Sequence, residues 1–225
     1  MSELRWNADR FGSELAATLT AALAGARSFT ALITAVTECA ATAEAICSRR
    51  PMACAPGCPY CCVLNVAILL PEGMIIAQWL REKLSPQELA AMRERLATHR
   101  SWARWMDDEE RIIKKMACPL LDETGSCGVH PVRPLACRGV TSLDSDSCRK
   151  AFDPVVTDEL RLVPADLLRR DAYDVAFTSL AQALLAHGLD DRSIELGAGV
   201  LIFLEHPEYR ELFLSGGRLP PAPWS

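Results

Sequence analysis

The sequence has few aromatic side chains, few histidines and no surplus of positive charge. Aromatic residues make up 6% of the 225 positions, and there are four histidines. The formal net charge is −5, which argues against nucleic-acid binding because phosphate groups require a concentrated basic face. Half of the residues are apolar and 24% are charged, which excludes a disordered or collagen-like chain. The sequence predicts a globular protein with no nucleic-acid partner.

No uninterrupted apolar run predicts a membrane span, since a spanning helix needs about 20 apolar residues. The most apolar stretch, 30–45, contains Glu38 and Glu44, which favour a helix of a soluble protein. The first twelve residues are polar and charged and lack the pattern of an export signal. We therefore expect a cytoplasmic protein with no membrane partner.

Ten cysteines are the most unusual feature of the composition. In a reducing compartment, thiols stay free or bind metal rather than pairing as disulfides. A chain of this length can bury a hydrophobic core without disulfide cross-links. Metal binding is therefore the first explanation to test against the spacing of the cysteines.

The spacing of apolar residues predicts a mostly α-helical protein with a central, cysteine-rich metal site built from loops. Residues 11–50 predict one helix broken near Gly25 and Ala26, or two helices. A helix begins at Leu70-Pro71-Glu72 and runs through Leu84. The next helix has the capping-box sequence of Ser85 and Glu88 and is expected to continue toward Met116.

The C-terminal part predicts a long helix between Pro164 and Gly188, then shorter helices at 193–205 and 207–214. No internal repeat and no alternation of strands and helices is present. We therefore predict a single domain over 1–225. Its parts are N-terminal helices in 1–50, a metal-binding core with a helical insert in 51–150, and C-terminal helices with a loose tail in 151–225.

Seven cysteines lie in two loop segments rich in proline and glycine, and we predict that they bind metal. Loops with few apolar side chains need another source of order, which metal ligation supplies. The Cys58-x-x-Cys61 spacing allows a tight turn to bring two sulfurs to one ion, and four thiolates suit zinc or an iron–sulfur cluster. The predicted ligands are Cys54, Cys58, Cys61, Cys62, Cys118, Cys127 and Cys137.

The other three cysteines have different settings. Cys39 and Cys47 lie in an alanine-rich helical segment, where free cysteines behave as small buried hydrophobic side chains. Cys148 follows Cys137 by eleven positions and fits either a ligand or a buried residue.

These motifs resemble those of the CxxCxxCC putative zinc- or iron-chelating domain family. The resemblance rests on Cys54-x3-Cys58-x2-Cys61-Cys62, Cys118-Pro119-Leu120 and Cys127-x2-His130-x2-Arg133-Pro134-x2-Cys137-Arg138. Two positions depart from the family pattern: the first gap has three residues instead of two, and His130 stands where the family usually has tyrosine. The resemblance implies a metal or cluster site. Some family members resemble the flagellin lysine methylase, which is regarded as iron–sulfur-dependent, but no methyltransferase domain is recognisable here.

Basic residues near the cysteines suggest how the charge of several thiolates is offset. Arg133 and Arg138 flank Cys137, Arg149 follows Cys148, and guanidinium groups balance thiolate charge and donate to sulfur. These arginines would equally hold an anionic substrate or pair with surface carboxylates.

His130 is either an additional nitrogen ligand or a buried residue that supports the ligands by hydrogen bonding. Among the remaining residues, His99 is expected at the surface or at a helix end, and Trp102 and Trp105 in the core.

Two functions follow from this pattern. The first is a cytoplasmic protein that holds an iron–sulfur cluster or iron, slightly favoured, or zinc, through its clustered cysteines. The argument for iron is that the adjacent Cys61 and Cys62 side chains should diverge, which a cluster accommodates better than one zinc ion. The second is a cluster-dependent enzyme in protein modification or redox chemistry, acting on a protein substrate or partner that the sequence does not identify.

Two further possibilities are weaker. The Cys54-x3-Cys58-x2-Cys61 spacing equals that of radical S-adenosylmethionine enzymes, but those place it on a β/α barrel that this sequence does not predict. A redox-sensing thiol switch would require exposed, acidified cysteines.

Overall fold

The computed structural model describes residues 6–24, 27–152 and 162–221. Within these ranges the protein is mostly α-helical, as predicted, with one two-stranded sheet. The helices are α1 (Ala8–Leu23), α2 (Phe29–Cys47), α3 (Leu70–Lys83), α4 (Pro86–Ala103), α5 (Asp108–Ile113), α6 (Leu135–Gly139), α7 (Ser145–Ala151), α8 (Leu167–Ala186), α9 (Leu196–Glu205) and α10 (Glu208–Leu214). The strands are β1 (Ala67–Leu69) and β2 (Ser193–Glu195), and 3-10 turns occur at Tyr60–Val63 and His130–Val132.

The N-terminal part consists of two separately capped helices. The side chain of Asn7 accepts a hydrogen bond from the amide of Arg10 at the start of α1. Ser28 does the same for the amide of Ala31 at the start of α2. The two-helix alternative is therefore correct, and the predicted break at 25–26 falls outside the described residues. Both helices pack against α8.

An ion pair joins α2 to α8. Glu44 accepts hydrogen bonds from both terminal nitrogens of Arg169, at 2.8 and 2.9 Å, and from the hydroxyl of Tyr173 at 2.6 Å. Arg169 and Tyr173 are buried. The hydrogen bonds from Arg169, and to a smaller extent the one from Tyr173, hold the pKa of Glu44 below its usual value. The ion pair fixes the position of α2 along α8.

The length and composition of α2 match those of a possible membrane-spanning helix, which was not expected from the sequence. The helix has 19 residues and a mean hydropathy of 1.3, so by length and composition it is able to cross a membrane. Glu38 and Glu44 lie within this helix, but two glutamates do not lower its mean hydropathy enough to exclude a span on composition alone. In the structure one face of α2, including Leu32, Ala35 and Cys39, is buried.

A short antiparallel sheet, not predicted from the sequence, links the centre of the chain to its C-terminal part. Ala67 pairs with Glu195, Ile68 with Ile194 and Leu69 with Ser193. Strands of three residues are too short to show an alternating apolar pattern, and the predicted helix at 193–205 begins only at Leu196. Each strand leads directly into a helix, α3 or α9, and these two helices pack together.

The contact between α3 and α9 depends on glycine. A Cβ atom added to Gly73 would lie 2.9 Å from the carbonyl oxygen of Gly199, and one added to Gly199 would lie 2.7 Å from Ile194. Because real Cβ atoms do not approach so closely, only glycine allows this helix spacing.

The helix at 86–103 begins as predicted but ends earlier. Ser85 and Glu88 form the capping box, with the amide of each bonded to the side chain of the other. The predicted continuation to Met116 is wrong, because α4 ends at Ala103 and Asp107 caps the separate helix α5.

The solvent exposure of three side chains, on α4 or just after it, differs from what the sequence predicts. Trp102 and Trp105 are 60% and 73% exposed, whereas His99 is buried. The face of α4 that packs against α9 carries Leu96, His99 and Ala103, so the tryptophans are left on the solvent side.

Candidate metal centre

The first cysteine loop folds into a tight turn that brings adjacent thiols together. Gly57 adopts a φ of 81°, the amide of Cys58 donates to Ala55, and the amide of Cys62 donates to Pro59 at 2.9 Å. A hydrogen bond with the Cys62 thiol, then burial, raises the pKa of Cys61. The two adjacent thiols are therefore close enough to affect each other's pKa, and both lie in the 3-10 turn at Tyr60–Val63.

The second cysteine loop is hydrogen-bonded to the first. The amide of Cys118 donates to the carbonyl oxygen of Cys62 at 2.6 Å. Cys127 then returns beside this segment through an antiparallel bridge with Leu121. These backbone contacts place Cys118 and Cys127 next to the Cys61–Cys62 turn.

The intervening turn at 122–126 is built by Asp122. One carboxylate oxygen of Asp122 accepts hydrogen bonds from the amides of Thr124 and Ser126, both at 2.9 Å. Gly125 supplies the positive φ, 78°, that the turn requires. This turn fixes the spacing between Cys118 and Cys127.

Cys137 is presented by the short helix α6, and Glu72 holds that helix in place. The amide of Leu135, at the start of α6, donates to one oxygen of Glu72 at 2.8 Å, and the amide of Leu69 donates to the other at 2.8 Å. Glu72 is 3% exposed, and burial raises its pKa to about 7. A buried carboxylate on α3 thus joins β1 to the segment that carries Cys137.

Four thiols form one neighbourhood, here called the Cys137 group: Cys61, Cys118, Cys127 and Cys137. Burial raises the pKa of Cys137, and the charges of the other three thiols raise it further. Burial likewise raises the pKa of Cys118 to about 12, with Cys127 adding to the effect. The four thiols therefore lie near enough to influence one another electrostatically, although they do not form a ready-made metal-binding group among the described residues.

A second neighbourhood, the Cys148 group, contains Cys54, Cys58, Cys61 and Cys148. Cys148 is buried in α7, and burial followed by the charges of the other three raises its pKa. The amide of Ala53 donates to the carbonyl oxygen of Ser142 at 2.8 Å, which ties the first cysteine loop to the segment before α7. The structure therefore places Cys148 with the predicted ligands, and Cys61 lies in both groups.

The three arginines have different environments. Arg133 lowers the pKa of both Cys61 and Cys137, so it lies beside the thiols as expected. Arg138 donates instead to the backbone oxygens of Arg133 and Pro131 and braces the loop. Arg149 pairs with the surface carboxylate of Asp146 at 2.6 Å, as in the alternative in which these arginines bind surface carboxylates instead of offsetting thiolate charge.

His130 is exposed. Partial burial and the nearby Arg133 and Arg138 lower its pKa. Its ligand role remains a prediction.

Cys39 and Cys47 are fully buried, as predicted. Their thiols donate to the backbone oxygens of Ala176 and Ala43, at 3.4 and 3.2 Å. Both lie in the hydrophobic core with the apolar side chains of α2, which confirms their interpretation as small hydrophobic residues.

In the described ranges, no three cysteine, histidine or acidic side chains are arranged as a ready-made metal-binding group. All ten cysteines are free thiols. The donor chemistry of the two groups fits zinc, iron or an iron–sulfur cluster, and binding would draw the thiols closer together.

Sequence reasoning did not assign Glu72 a role at the centre. The glutamate at the third position of a helix that begins with proline signals a capping interaction. The other carboxylate oxygen of Glu72 accepts the amide of Leu135. No local sequence pattern reveals this tertiary contact.

Comparison with known families confirms the resemblance. Residues 53–153 match the model of the CxxCxxCC domain, described as a putative zinc- or iron-chelating domain. The matched segment contains the cysteines of both groups, and its description supports a zinc- or iron-chelating function. No curated protein and no solved structure matches the chain.

Proposed function

We propose that the protein holds an iron–sulfur cluster or iron, in preference to zinc, through thiolates of the Cys137 and Cys148 groups. The observation that carries this proposal is the match of residues 53–153 to a zinc- or iron-chelating domain. It is supported by the electrostatic influence of Cys61, Cys118 and Cys127 on Cys137, which come from three separate segments of the chain. The predicted ligands Cys54, Cys58 and Cys62 lie in the same first loop.

The number of thiols supports a polynuclear site. Eight cysteines lie in the two groups and the adjoining Cys62, whereas a closed structural zinc site uses four ligands. Cys61, which lies in both groups, suits a cluster or two neighbouring metals better than one isolated ion. Arg133 offsets part of the negative charge of such a site.

The proposed role is that of a cytoplasmic metal-binding protein. The ten free thiols are consistent with a reducing compartment. A cluster-dependent enzyme is the second candidate, supported by the surplus of thiols over the four ligands of a closed site. A radical S-adenosylmethionine enzyme has less support, because the described residues contain a two-stranded sheet and no β/α barrel.

Anaerobic purification followed by iron, zinc and acid-labile sulfide analysis tests the proposal. Brown protein with iron and sulfide supports a cluster, whereas colourless protein with stoichiometric zinc and no sulfide contradicts the preference for iron. Oxygen must be excluded throughout, because a bleached cluster leaves thiolates that bind zinc.

Variants of the same protein test the ligands. Cys58→Ala and Cys127→Ala should lose metal and stability together, since metal ligation orders the loops. The matched control is Cys39→Ala, which should retain all metal because Cys39 lies in the core of α2. Full metal retention in both ligand variants would contradict the assignment.

A further inference from the structure

Ser142 is a buried serine that lies between α6, which carries Cys137, and α7, which carries Cys148. It is 2% exposed. Its carbonyl oxygen accepts the amide of Ala53 at 2.8 Å, which ties it to the residue before Cys54. Ser142 therefore joins the two segments of the chain that supply the Cys148 group.

The amide of Ser142 donates a hydrogen bond to the sulfur of Cys54, with a nitrogen-to-sulfur distance of 3.5 Å. A bond of this kind strengthens when the sulfur carries negative charge, because a charged acceptor binds a donor more strongly than a neutral one. Groups that donate to a ligand atom orient that atom and tune the metal that it binds. The amide thus orients the sulfur of Cys54 and would offset part of its charge on metal binding.

The hydroxyl of Ser142 is bonded to the start of α7. It donates to the carbonyl oxygen of Asp144 at 2.8 Å and accepts the Asp144 amide at 3.0 Å. The same carbonyl oxygen accepts the amide of Cys148 at 3.4 Å. One residue therefore contacts the sulfur of Cys54 on one side and the backbone that positions Cys148 on the other.

The start of α7 is fixed by its own cap. One carboxylate oxygen of Asp144 accepts the amide of Asp146 at 3.1 Å, and the other accepts the amide of Ser147 at 3.2 Å. Burial raises the pKa of Cys148, whereas a hydrogen bond with the Ser142 side chain acts in the opposite direction. The thiol of Cys148 therefore lies within reach of Ser142.

Ser142 is also held against the start of the long helix α8. Its hydroxyl lies 3.2 Å from the carbonyl oxygen of Pro164, which accepts the amide of Leu143 at 2.8 Å. Asp166, the cap of α8, pairs with Arg50 at 2.6 Å. The first cysteine loop and the segment with Ser142 are thus anchored to the same rigid element.

We propose that Ser142 is a positioning residue that presents the sulfurs of Cys54 and Cys148 to one shared metal ion or cluster. The inference rests on the proposed metal-binding function and adds two points to it. Cys148, which sequence spacing left open, becomes a ligand, and a residue outside the cysteine motifs becomes necessary for the site. Ser142 acts through the two sulfurs, and it is the sulfurs that bind the metal.

Anaerobic alkylation of the full-length protein with iodoacetamide tests the proposal. Mass spectrometry measures the reaction rate of each cysteine in the protein as purified, and again after metal removal with bipyridyl and EDTA. Because iodoacetamide reacts with the same thiolate that binds metal, a bound metal protects its ligands, and Cys54 and Cys148 should react at least about tenfold faster after metal removal. Cys127 and Cys137 should behave in the same way. Cys39, in the core of α2, should show no metal-dependent change.

Ser142→Ala removes the hydroxyl, and Ser179→Ala provides a matched control. Ser179 is equally buried, but its hydroxyl donates to Gly12 on α1. In Ser142→Ala the protection of Cys148 by metal should fall about tenfold, since its local anchor is lost, while that of Cys137 is retained. Ser179→Ala should keep both. A merely structural effect would raise the rates with and without metal alike and leave their ratio unchanged.

The outcomes separate this inference from the proposed function. If metal protects Cys127 and Cys137 but not Cys54 and Cys148, the inference is wrong and the metal centre stands. If the purified protein holds no metal, or metal protects none of the four, both are wrong. Protection of Cys148 that Ser142→Ala leaves unchanged would also overturn the positioning role.

Discussion

The carboxylate of Glu72 and the backbone amide of Leu135, 63 positions apart, are joined by a buried hydrogen bond of 2.8 Å. Leu135 begins the short helix that carries Cys137, and Glu72 also accepts the amide of Leu69 at the end of β1. The position of one predicted metal ligand is thereby tied to the rigid helical part of the protein rather than to its own loop.

Glu72→Ala should destabilise the protein by about 2–6 kcal/mol, since two buried amides each lose their acceptor at about 1–3 kcal/mol. Metal content should fall as well, because α6 loses its anchor. Urea unfolding and metal analysis measure the two effects. Glu82→Ala, at an exposed position of the same helix, should cost less than about 0.5 kcal/mol. A Glu72 variant as stable as the Glu82 control would contradict the anchoring role.

The pH dependence of stability should reveal the burial of Glu72. Its pKa rises from the ordinary 4.5 to about 7 on folding, so the protonated form stabilises the fold below pH 4.5. That contribution is lost as the pH rises through 7. The free energy of unfolding of the wild type relative to Glu72→Gln should therefore decrease between pH 4.5 and 7, by up to about 3 kcal/mol. A difference that increases with pH over this window would refute the assignment.

Cys148→Ala should cause a partial loss of metal. The substitution removes one thiol of the Cys148 group and leaves the four thiols of the Cys137 group intact. Cys47→Ala removes an equally buried thiol that donates only to its own helix, so it should retain all metal. The ratio of metal to protein in the two purified variants is the measurement, and identical ratios would exclude Cys148 as a ligand.

Glu44→Ala should destabilise the packing of α2 on α8. It leaves the buried guanidinium of Arg169 without its carboxylate, and we expect a loss of about 2–3 kcal/mol, reduced from the value for a fully buried pair because Glu44 is 41% exposed. Glu14→Ala breaks the exposed pair with Arg10 and should cost no more than about 0.5 kcal/mol. Equal unfolding midpoints in urea for the two variants would show that the buried pair does not hold α2.

Gly73→Ala should destabilise the contact between α3 and α9. The added methyl group would lie 2.9 Å from a backbone oxygen of Gly199, and overpacking of this kind costs about 1–3 kcal/mol. In Gly12→Ala the nearest atom is a methyl of Val175, which is able to rotate away, so the loss should be smaller. Thermal unfolding of both variants provides the comparison.

Helices and caps were predictable from local patterns, whereas the position of single side chains was not. The capping box of Ser85 and Glu88 follows from residue types three positions apart. The exposure of Trp105 depends on which face of α4 meets α9, and that face is chosen by tertiary packing. The strand at 67–69 was missed because its pairing partner lies near the other end of the chain.

For the candidate metal centre, spacing alone indicated the family resemblance and predicted seven cysteines as ligands, and their ligand role stays a prediction. Spacing did not decide the place of Cys148, because an interval of eleven residues allows either a ligand or a core position. Its proximity to Cys54 and Cys58 results from the bond between Ala53 and Ser142, which no sequence motif indicates. The burial of Arg111 and of His99 was likewise missed, since isolated basic residues on helices usually face solvent.

The pairing of Ala67 with Glu195 determines when, during synthesis, the fold around the cysteine loops is completed. During synthesis the cysteine loops leave the ribosome well before the strand at 193–195 exists, and chain elongation adds only about 5–20 residues per second. Until that strand emerges, β1 has no partner, and the loop before it and the helix after it lack their support. On the proposed function, metal would enter the native arrangement only after this strand has emerged, and thiols that emerge earlier would be open to oxidation until then.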